Sequence, residues 1–115
     1  MKRSVLLQLG RDSIQEVLQT QNLIDKNALL EKYPLLKQAI PIKINLYLEN
    51  ELRGSFRSQG HLALADAIII GAKKAAFEDE HFTPLSVSEY LHCEIELLLN
   101  APEGPMSEKD PAIFS

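Results

Sequence analysis

The spacing of apolar residues changes along the chain and divides it into helical and extended segments. From residue 4 to 20, apolar side chains such as Leu6, Ile14 and Leu18 recur every three or four positions, which predicts an amphipathic helix. A second, shorter helix is predicted over residues 25–33, because an aspartate can cap its start and a proline follows its end.

Strict alternation of apolar and polar residues begins after residue 41 and predicts a β-hairpin. Its first strand starts at Ile42, a tight polar turn lies around Asn50, and its second strand ends near Ser58. Because neighbouring strand residues point to opposite faces, the second strand is divided between the two faces of the sheet. The alternation predicts a buried face with Leu52, Gly54 and Phe56 and an opposite, basic face with Arg53, Ser55 and Arg57.

The second half of the chain predicts two helices and one more strand. A long helix is predicted over residues 62–77, and Ser86 with Glu89 forms the capping box of a short one. The stretch "HCEIELLLN" alternates as a strand, and the tail 101–115, rich in proline, is predicted to be irregular. In that strand the inward residues are Cys93, Ile95, Leu97 and Leu99, and the outward residues are His92, Glu94 and Glu96.

The predicted fold is therefore α+β, in a single domain over residues 1–115. Its sheet is small and mainly antiparallel, built from the hairpin and the later strand, and helices cover one face. A sheet of so few strands has edges that need covering.

Composition narrows the classes of function. A net charge of -4 over 115 residues argues against a general nucleic-acid binder. The longest apolar run, "LALADAIIIGA", is interrupted by Asp66 and cannot span a bilayer. The single cysteine, Cys93, excludes an intramolecular disulfide and fits a reducing compartment. We expect a cytoplasmic protein without membrane or nucleic-acid partners.

The basic face of the hairpin is the main candidate for chemistry. Lys43, Arg53 and Arg57 could form a cationic patch for a carboxylate or phosphate, and Gly54 would let a ligand approach the backbone. In the alternative interpretation, these charges form a solvated sheet face paired with acidic residues of the next strand, and the glycine marks a bulge or a close helix contact.

Other candidate chemistry is weaker. His92, Glu94 and Glu96 could hold a metal at alternating spacing, but such residues are often merely outward-facing, and we predict no metal and no cofactor. Cys93 is interpreted as a small core residue, since adjacent strand residues point apart and His92 cannot activate it. We assign no catalytic residue.

Two separated runs of this sequence resemble the AMMECR domain family. The first match is "LRG" at residues 52–54, and "LLQLGRDSI" at residues 6–14 resembles the family's first helix. The second run matches at Ala75, Ala76, Phe77, Asp79, Phe82, Pro84, Leu85, Glu89, Glu94 and Ile95. The resemblance implies an α+β fold and a ligand or enzymatic site around the family's Arg-Gly-Cys run, while the family's biochemical role is not established.

This chain departs from the family pattern at the residues of that site. Ser55 stands where the family has cysteine, Arg57 replaces its second glycine, and Glu80 and His81 replace its Pro-Arg pair. The chain is also expected to be a short, diverged member that lacks the family's C-terminal part. A serine hydroxyl is far less acidic than a thiol, so any cysteine chemistry would be lost.

Two hypotheses of different classes follow. The first is a protein-interaction or oligomerising module whose sheet edges are covered by another copy or by another protein. The second is a site for a small anionic ligand, or an enzymatic site, centred on the Arg-Gly-Ser run. Its candidate residues are Arg53, Gly54, Ser55, Arg57, Asp79 and His81.

Overall fold

The computed structural model describes residues 3–114, so residues 1, 2 and 115 of the predicted domain lie outside the described residues. It has the α+β architecture expected from the sequence: helices pack on one face of an antiparallel sheet. Within residues 3–114, no helix is long and apolar enough to cross a membrane. In chain order the elements are α1 (Val5–Gln19), α2 (Lys26–Lys32), a 3-10 turn (Pro34–Lys37), β1 (Ile42–Leu48), β2 (Glu51–Ser58), α3 (Leu64–Phe77), α4 (Val87–Leu91), β3 (Cys93–Ala101) and β4 (Gly104–Asp110).

The helix boundaries follow local capping chemistry. The Ser4 hydroxyl accepts a hydrogen bond from the Leu7 amide at 3.1 Å and begins α1, and the Asp25 carboxylate caps α2 in the same way. At α4, Ser86 and Glu89 form the predicted capping box. The structure thus confirms these helices to within about two residues of the sequence prediction.

The sheet has four strands in the order β2-β1-β3-β4, and every neighbouring pair is antiparallel. The β1–β2 turn places Glu49 and Asn50 at φ 52° and 66°, as a two-residue hairpin turn requires. The inner face of the sheet, which carries the alternating apolar residues of β1 and β3, packs against α1 and α3. The inward residues predicted for β3 are confirmed, and they are Cys93, Ile95, Leu97 and Leu99.

The fourth strand corrects the prediction that residues 101–115 are irregular. Residues 104–110 form β4 and pair with β3 along their whole length. The sequence "GPMSEKD" does not predict this strand, because most side chains of this edge strand are exposed and it therefore lacks an alternation of apolar and polar residues.

Buried charges tie β4 to the first helix. Arg11 on α1 is fully buried, and its Nε lies 2.6 Å from the carboxylate of Asp110 at the end of β4. Its Nη2 also donates to the carbonyl oxygens of Cys93 and Pro111, at 2.9 and 3.0 Å. The guanidinium lies 5.2 Å from the centre of the Tyr90 ring. One side chain therefore connects α1 with β3, β4, α4 and the segment that follows the sheet.

Gly54 on β2 lets α3 approach the sheet very closely. A Cβ at this position would collide with the backbone carbonyl oxygen of Ala75 on α3. Backbone on both sides leaves no flexible side chain to move away. Both structural interpretations open from the sequence apply, because Gly54 contacts the helix closely and also directly follows an irregularity in the pairing of β2 with β1.

Gly54→Ala should therefore destabilise the protein by about 3 kcal/mol, because the helix must shift away from the sheet. The matched control is Gly10→Ala on α1, where an added Cβ would lie 3.9 Å from the nearest atom, Ile68 Cγ2. This control should raise the free energy of unfolding by up to about 1 kcal/mol, as alanine favours helix over glycine. Urea unfolding of both variants measures the difference, and equal effects would contradict the close-contact explanation.

Candidate functional site

A β-bulge separates Arg53 from the basic face on which the sequence pattern placed it. Leu46 pairs with Gly54 and Tyr47 pairs with Leu52, so Arg53 is an extra residue without a partner on β1. The prediction that Leu52 shares the buried face was wrong: it lies on the Tyr47 side and is 46% exposed. Alternation over the run from Leu52 to Arg57 cannot reveal a bulge, because the extra residue leaves no mark in the apolar pattern.

The bulge directs Arg53 into a network with α4 and the loop before it. Arg53 is 8% exposed, and its Nε and Nη2 donate to the two carboxylate oxygens of Glu89 at 3.0 and 3.1 Å. Nη2 also donates to the Thr83 carbonyl at 2.8 Å, and the guanidinium lies 5.5 Å from the Phe82 ring centre. Its Nη1 is buried without a hydrogen-bond partner among residues 3–114. The charge of Arg53 is therefore neutralised inside the protein.

Glu89 takes part in both the ion pair and the helix cap. Its side chain accepts from the Ser86 amide at 3.1 Å as well as from Arg53. The hydrogen bond from Arg53 is the largest of the influences that lower the pKa of Glu89 below its ordinary value. A carboxylate held in this way links the Arg-Gly-Ser run to the start of α4.

Asp79 attaches the loop after α3 to the edge of β2. Its Oδ2 accepts from the Ser55 amide at 3.0 Å, and its Oδ1 accepts from the His81 amide at 2.9 Å. The His81 ring nitrogen Nδ1 lies 3.1 Å from the same Oδ1, while the imidazole is 84% exposed. These contacts, led by the backbone hydrogen bond from His81, lower the pKa of Asp79. Asp79 thus satisfies an edge amide of the sheet and positions His81.

The Ser55 hydroxyl belongs to a separate polar network on the outer, helix-free face of the sheet. It donates to Asn45 Oδ1 at 3.0 Å, and Asn45 Nδ2 donates to Glu96 Oε1 at 3.0 Å. The Tyr47 hydroxyl donates to the same oxygen at 3.0 Å. These hydrogen bonds, that of Asn45 first, lower the pKa of Glu96, while burial and then Glu96 raise the pKa of Tyr47. The Ser55 proton therefore points to an amide oxygen rather than to a base that could activate it.

Arg57 lies apart from the other candidates. On the outer face it is directly opposite Lys43, and these two residues border an open cavity of about 450 Å³. Ser55, Asp79 and His81 instead line a different cavity of about 670 Å³, together with Leu52 and Phe82. The predicted site is thus divided into three places. Arg53 is buried, Ser55, Asp79 and His81 line one cavity, and Arg57 and Lys43 border another.

The residues of the alternative metal and thiol sites make contacts that stabilise the fold or are buried. His92, at the end of α4, has its Nδ1 2.8 Å from the carbonyl oxygen of Phe114. Glu94 forms an ion pair with Lys109 at 3.3 Å. Among residues 3–114, no group of three or more His, Cys, Asp or Glu side chains is arranged to hold a metal ion. Burial raises the pKa of the Cys93 thiol to about 11, which keeps it protonated at neutral pH.

The runs that resemble the AMMECR family lie in α1, in β2 and around the loop after α3, and the comparison with known families spans all of them. The family model of AMMECR1 matches residues 7–111 of this chain. The chain belongs to the AMMECR1 family. Its Leu52-Arg53-Gly54 run is the bulged strand next to α3, and its Asp79 is the residue that caps the edge of β2.

A solved structure gives the same result. The chain is similar to the crystal structure of the uncharacterized protein PH0010 from Pyrococcus horikoshii, with 25% sequence identity and a TM-score of 0.73. The similarity covers 84% of this chain and 50% of that one, so the chain spans about half the length of this relative. No match was found among curated proteins.

The Arg53–Glu89 pair predicts a specific dependence of stability on pH. Glu89→Gln should lower the free energy of unfolding at pH 7 by about 2 kcal/mol, because it leaves a buried guanidinium without its counter-charge. A lowered folded-state pKa stabilises the protein above the unfolded value of 4.5, and this contribution is lost as the pH falls through the folded pKa. The difference between wild type and variant should therefore shrink below about pH 4.5.

Urea titrations at several pH values measure this difference. Glu78→Gln is the matched control, because Glu78 is an exposed acid near the end of α3 that forms no ion pair within residues 3–114. A loss that stayed constant from pH 7 to pH 3 would exclude the ion pair as its cause.

Proposed function

We propose that this AMMECR1-family chain is an interaction module that self-associates through the free edge of β4. The observation that carries this proposal is the difference between the two edges of the sheet. Side chains and a loop of the same chain contact one edge, whereas the outward backbone groups of the other have no hydrogen-bond partner within residues 3–114. Such an edge accepts another strand readily.

Residues of the same chain contact the β2 edge. Asp79 binds the Ser55 amide, and Arg53 holds the Thr83 carbonyl, so the loop over residues 79–83 lies along this strand. A second chain would have to displace the Asp79 carboxylate from the Ser55 amide to pair here. Association through β2 is therefore unfavourable.

Alternate backbone groups of β4 point away from the sheet and have no hydrogen-bond partner in the part of the chain that the structure describes. The Asn100 amide donates to the Pro41 carbonyl, on the β1 side of β3, so Asn100 does not hydrogen-bond its β4 partner, Pro105. By the alternation of antiparallel pairs, Pro105, Ser107 and Lys109 direct their backbone groups away from the sheet. The missing amide of proline fits this position, since prolines in sheets occur where the N–H would face solvent.

A two-fold axis through Ser107 gives a complementary pairing of two β4 strands. Ser107 would pair with Ser107 of the partner subunit, and Lys109 would donate to the carbonyl of the partner's Pro105. Glu108 then lies opposite the partner's Met106. A two-fold axis through Glu108, which is a register shift of two residues, would instead place two Glu108 carboxylates opposite each other, which is unfavourable.

The lysine that could protect this edge is held elsewhere. Lys109 Nζ lies 3.3 Å from Glu94 and 5.3 Å from the centre of the Tyr47 ring, over the outer face of its own sheet. Edge lysines discourage association when their charge projects from the edge. The ammonium group of Lys109 instead lies over the outer face of the sheet, so it does not oppose association at the β4 edge.

The alternative function, an anionic-ligand or enzymatic site centred on the Arg-Gly-Ser run, has less support. It needs Arg53 as a free cation and Ser55 near a base. Arg53 is already paired with Glu89, and the Ser55 hydroxyl donates to Asn45. For the same reason, Arg53→Ala would test the stability of the fold before it tested any ligand.

Ser107→Pro should weaken dimerisation about 30-fold, because the two lost hydrogen bonds contribute about 1 kcal/mol each. The variant should fold, since this amide points away from β3 and takes no part in the β3–β4 ladder. Ser107→Ala, which removes the hydroxyl but keeps the amide, is the matched control and should dimerise like wild type.

Sedimentation velocity over a concentration series measures the dimer constants, and native mass spectrometry gives the assembly mass. Circular dichroism checks that both variants are folded. A wild-type protein that stays monomeric at the highest concentration would overturn the proposal. So would a Ser107→Pro variant that dimerises as tightly as Ser107→Ala.

A further inference from the structure

We propose that the outer face of the sheet binds a small organic anion in the trough between Lys43 and Arg57. The ligand class is a carboxylate or a phosphate monoester that carries an apolar body. This site is separate from the Arg-Gly-Ser run and does not depend on self-association, because all its residues belong to one chain.

Four directly paired residues form a row across the outer face of the sheet. Arg57 on β2 is opposite Lys43 on β1, Lys43 is opposite Leu98 on β3, and Leu98 is opposite Ser107 on β4. Directly opposite side chains in antiparallel sheets lie close together, with Cβ atoms about 5 Å apart. The row therefore places two cations side by side, next to an apolar residue and a hydroxyl.

Neither cation forms a direct ion pair with a carboxylate of the described residues. Within residues 3–114, neither Lys43 nor Arg57 forms an ion pair within 4.0 Å. Glu96 is near enough for Lys43 to contribute to lowering its pKa, and Asn45 and Tyr47 both donate to its Oε1. Like charges directly opposite each other on a sheet are unfavourable. A bound anion would remove this repulsion.

The cavity beside this row has the size and lining of a small-ligand site. Its volume is about 450 Å³, within the usual range for such pockets. Lys43 and Arg57 are the charged residues in its lining, which contains no carboxylate, and Gln59, Asn100 and Ser107 add polar groups. The remaining lining consists of Ser58 and of Pro41, Ile42, Leu98, Leu99, Pro105 and Met106, of which Ile42 and Leu99 direct their side chains into the core.

This lining suggests how a ligand would be oriented. The anionic group would lie between the ammonium of Lys43 and the planar guanidinium of Arg57, which suits carboxylate and phosphate oxygens. The apolar body would lie over Leu98 toward Pro105. An aliphatic anion should therefore bind more tightly than either a bare anion or a neutral alcohol of the same chain length.

Isothermal titration calorimetry with three probes tests this site: hexanoate, hexyl phosphate and the neutral 1-hexanol. We expect the two anions to bind with dissociation constants in the millimolar range or tighter, and 1-hexanol to bind at least tenfold more weakly. The tighter of the two anions assigns the ligand class as carboxylate or phosphate monoester.

Two variants remove one cation each, Lys43→Gln and Arg57→Gln, and each should weaken binding of the better anion at least tenfold. Lys109→Gln is the matched control. It removes the same charge from the same face of the sheet, but Lys109 does not line the cavity. This control should bind within about twofold of wild type, because exposed charges at a distance are screened.

Thermal unfolding provides a second readout that does not depend on a tight ligand. Because each cation repels the other, Lys43→Gln and Arg57→Gln should unfold at the wild-type temperature or slightly above it. Inorganic phosphate should raise the unfolding temperature of wild type more than that of either variant.

Several results would overturn the proposal. These are no binding of either anion, equal binding of hexanoate and 1-hexanol, or unchanged affinity in both cation variants. Equal weakening by Lys109→Gln would also overturn it, because the effect would then reflect the overall charge of the face.

Discussion

The close approach of α3 to the β1–β2 hairpin is the constraint on which the rest of the structure depends. It needs a glycine on each side of the interface. A Cβ at Gly54 would meet the carbonyl oxygen of Ala75, and a Cβ at Gly71 would meet the Phe56 ring and the Ile44 side chain. With α3 held this near, the inner face of the hairpin is fixed, and so is the place where β2 must bulge.

The bulge determines how charge is distributed around the Arg-Gly-Ser run. It turns Arg53 toward α4, where Glu89 neutralises it, and leaves Ser55 and Arg57 on the outer face. The loop held by Arg53 and Asp79 then covers the β2 edge. At the opposite edge of the sheet, the outward backbone groups of β4 have no hydrogen-bond partner within residues 3–114.

Buried charge also explains why the weakly patterned end of the chain is ordered. Arg11 has no exposed surface, and its hydrogen bonds to Asp110, Cys93 and Pro111 fix the end of β4 against α1. A buried guanidinium is costly unless it is paired, so β4 and α1 must dock together. This coupling orders an edge strand that has little apolar surface of its own.

The sequence by itself determined the helices, the hairpin and the inward face of β3, because these depend on local capping and on the period of apolar residues. It also indicated the AMMECR family, which the family comparison shows. Only the tertiary structure decided that residues 104–110 form a strand, that Arg53 is buried, and that Arg57 belongs with Lys43 rather than with Arg53. Those outcomes depend on contacts between residues far apart in the chain, such as Arg11 with Asp110 and Gly54 with Ala75. Periodicity along a strand carries no information about such contacts.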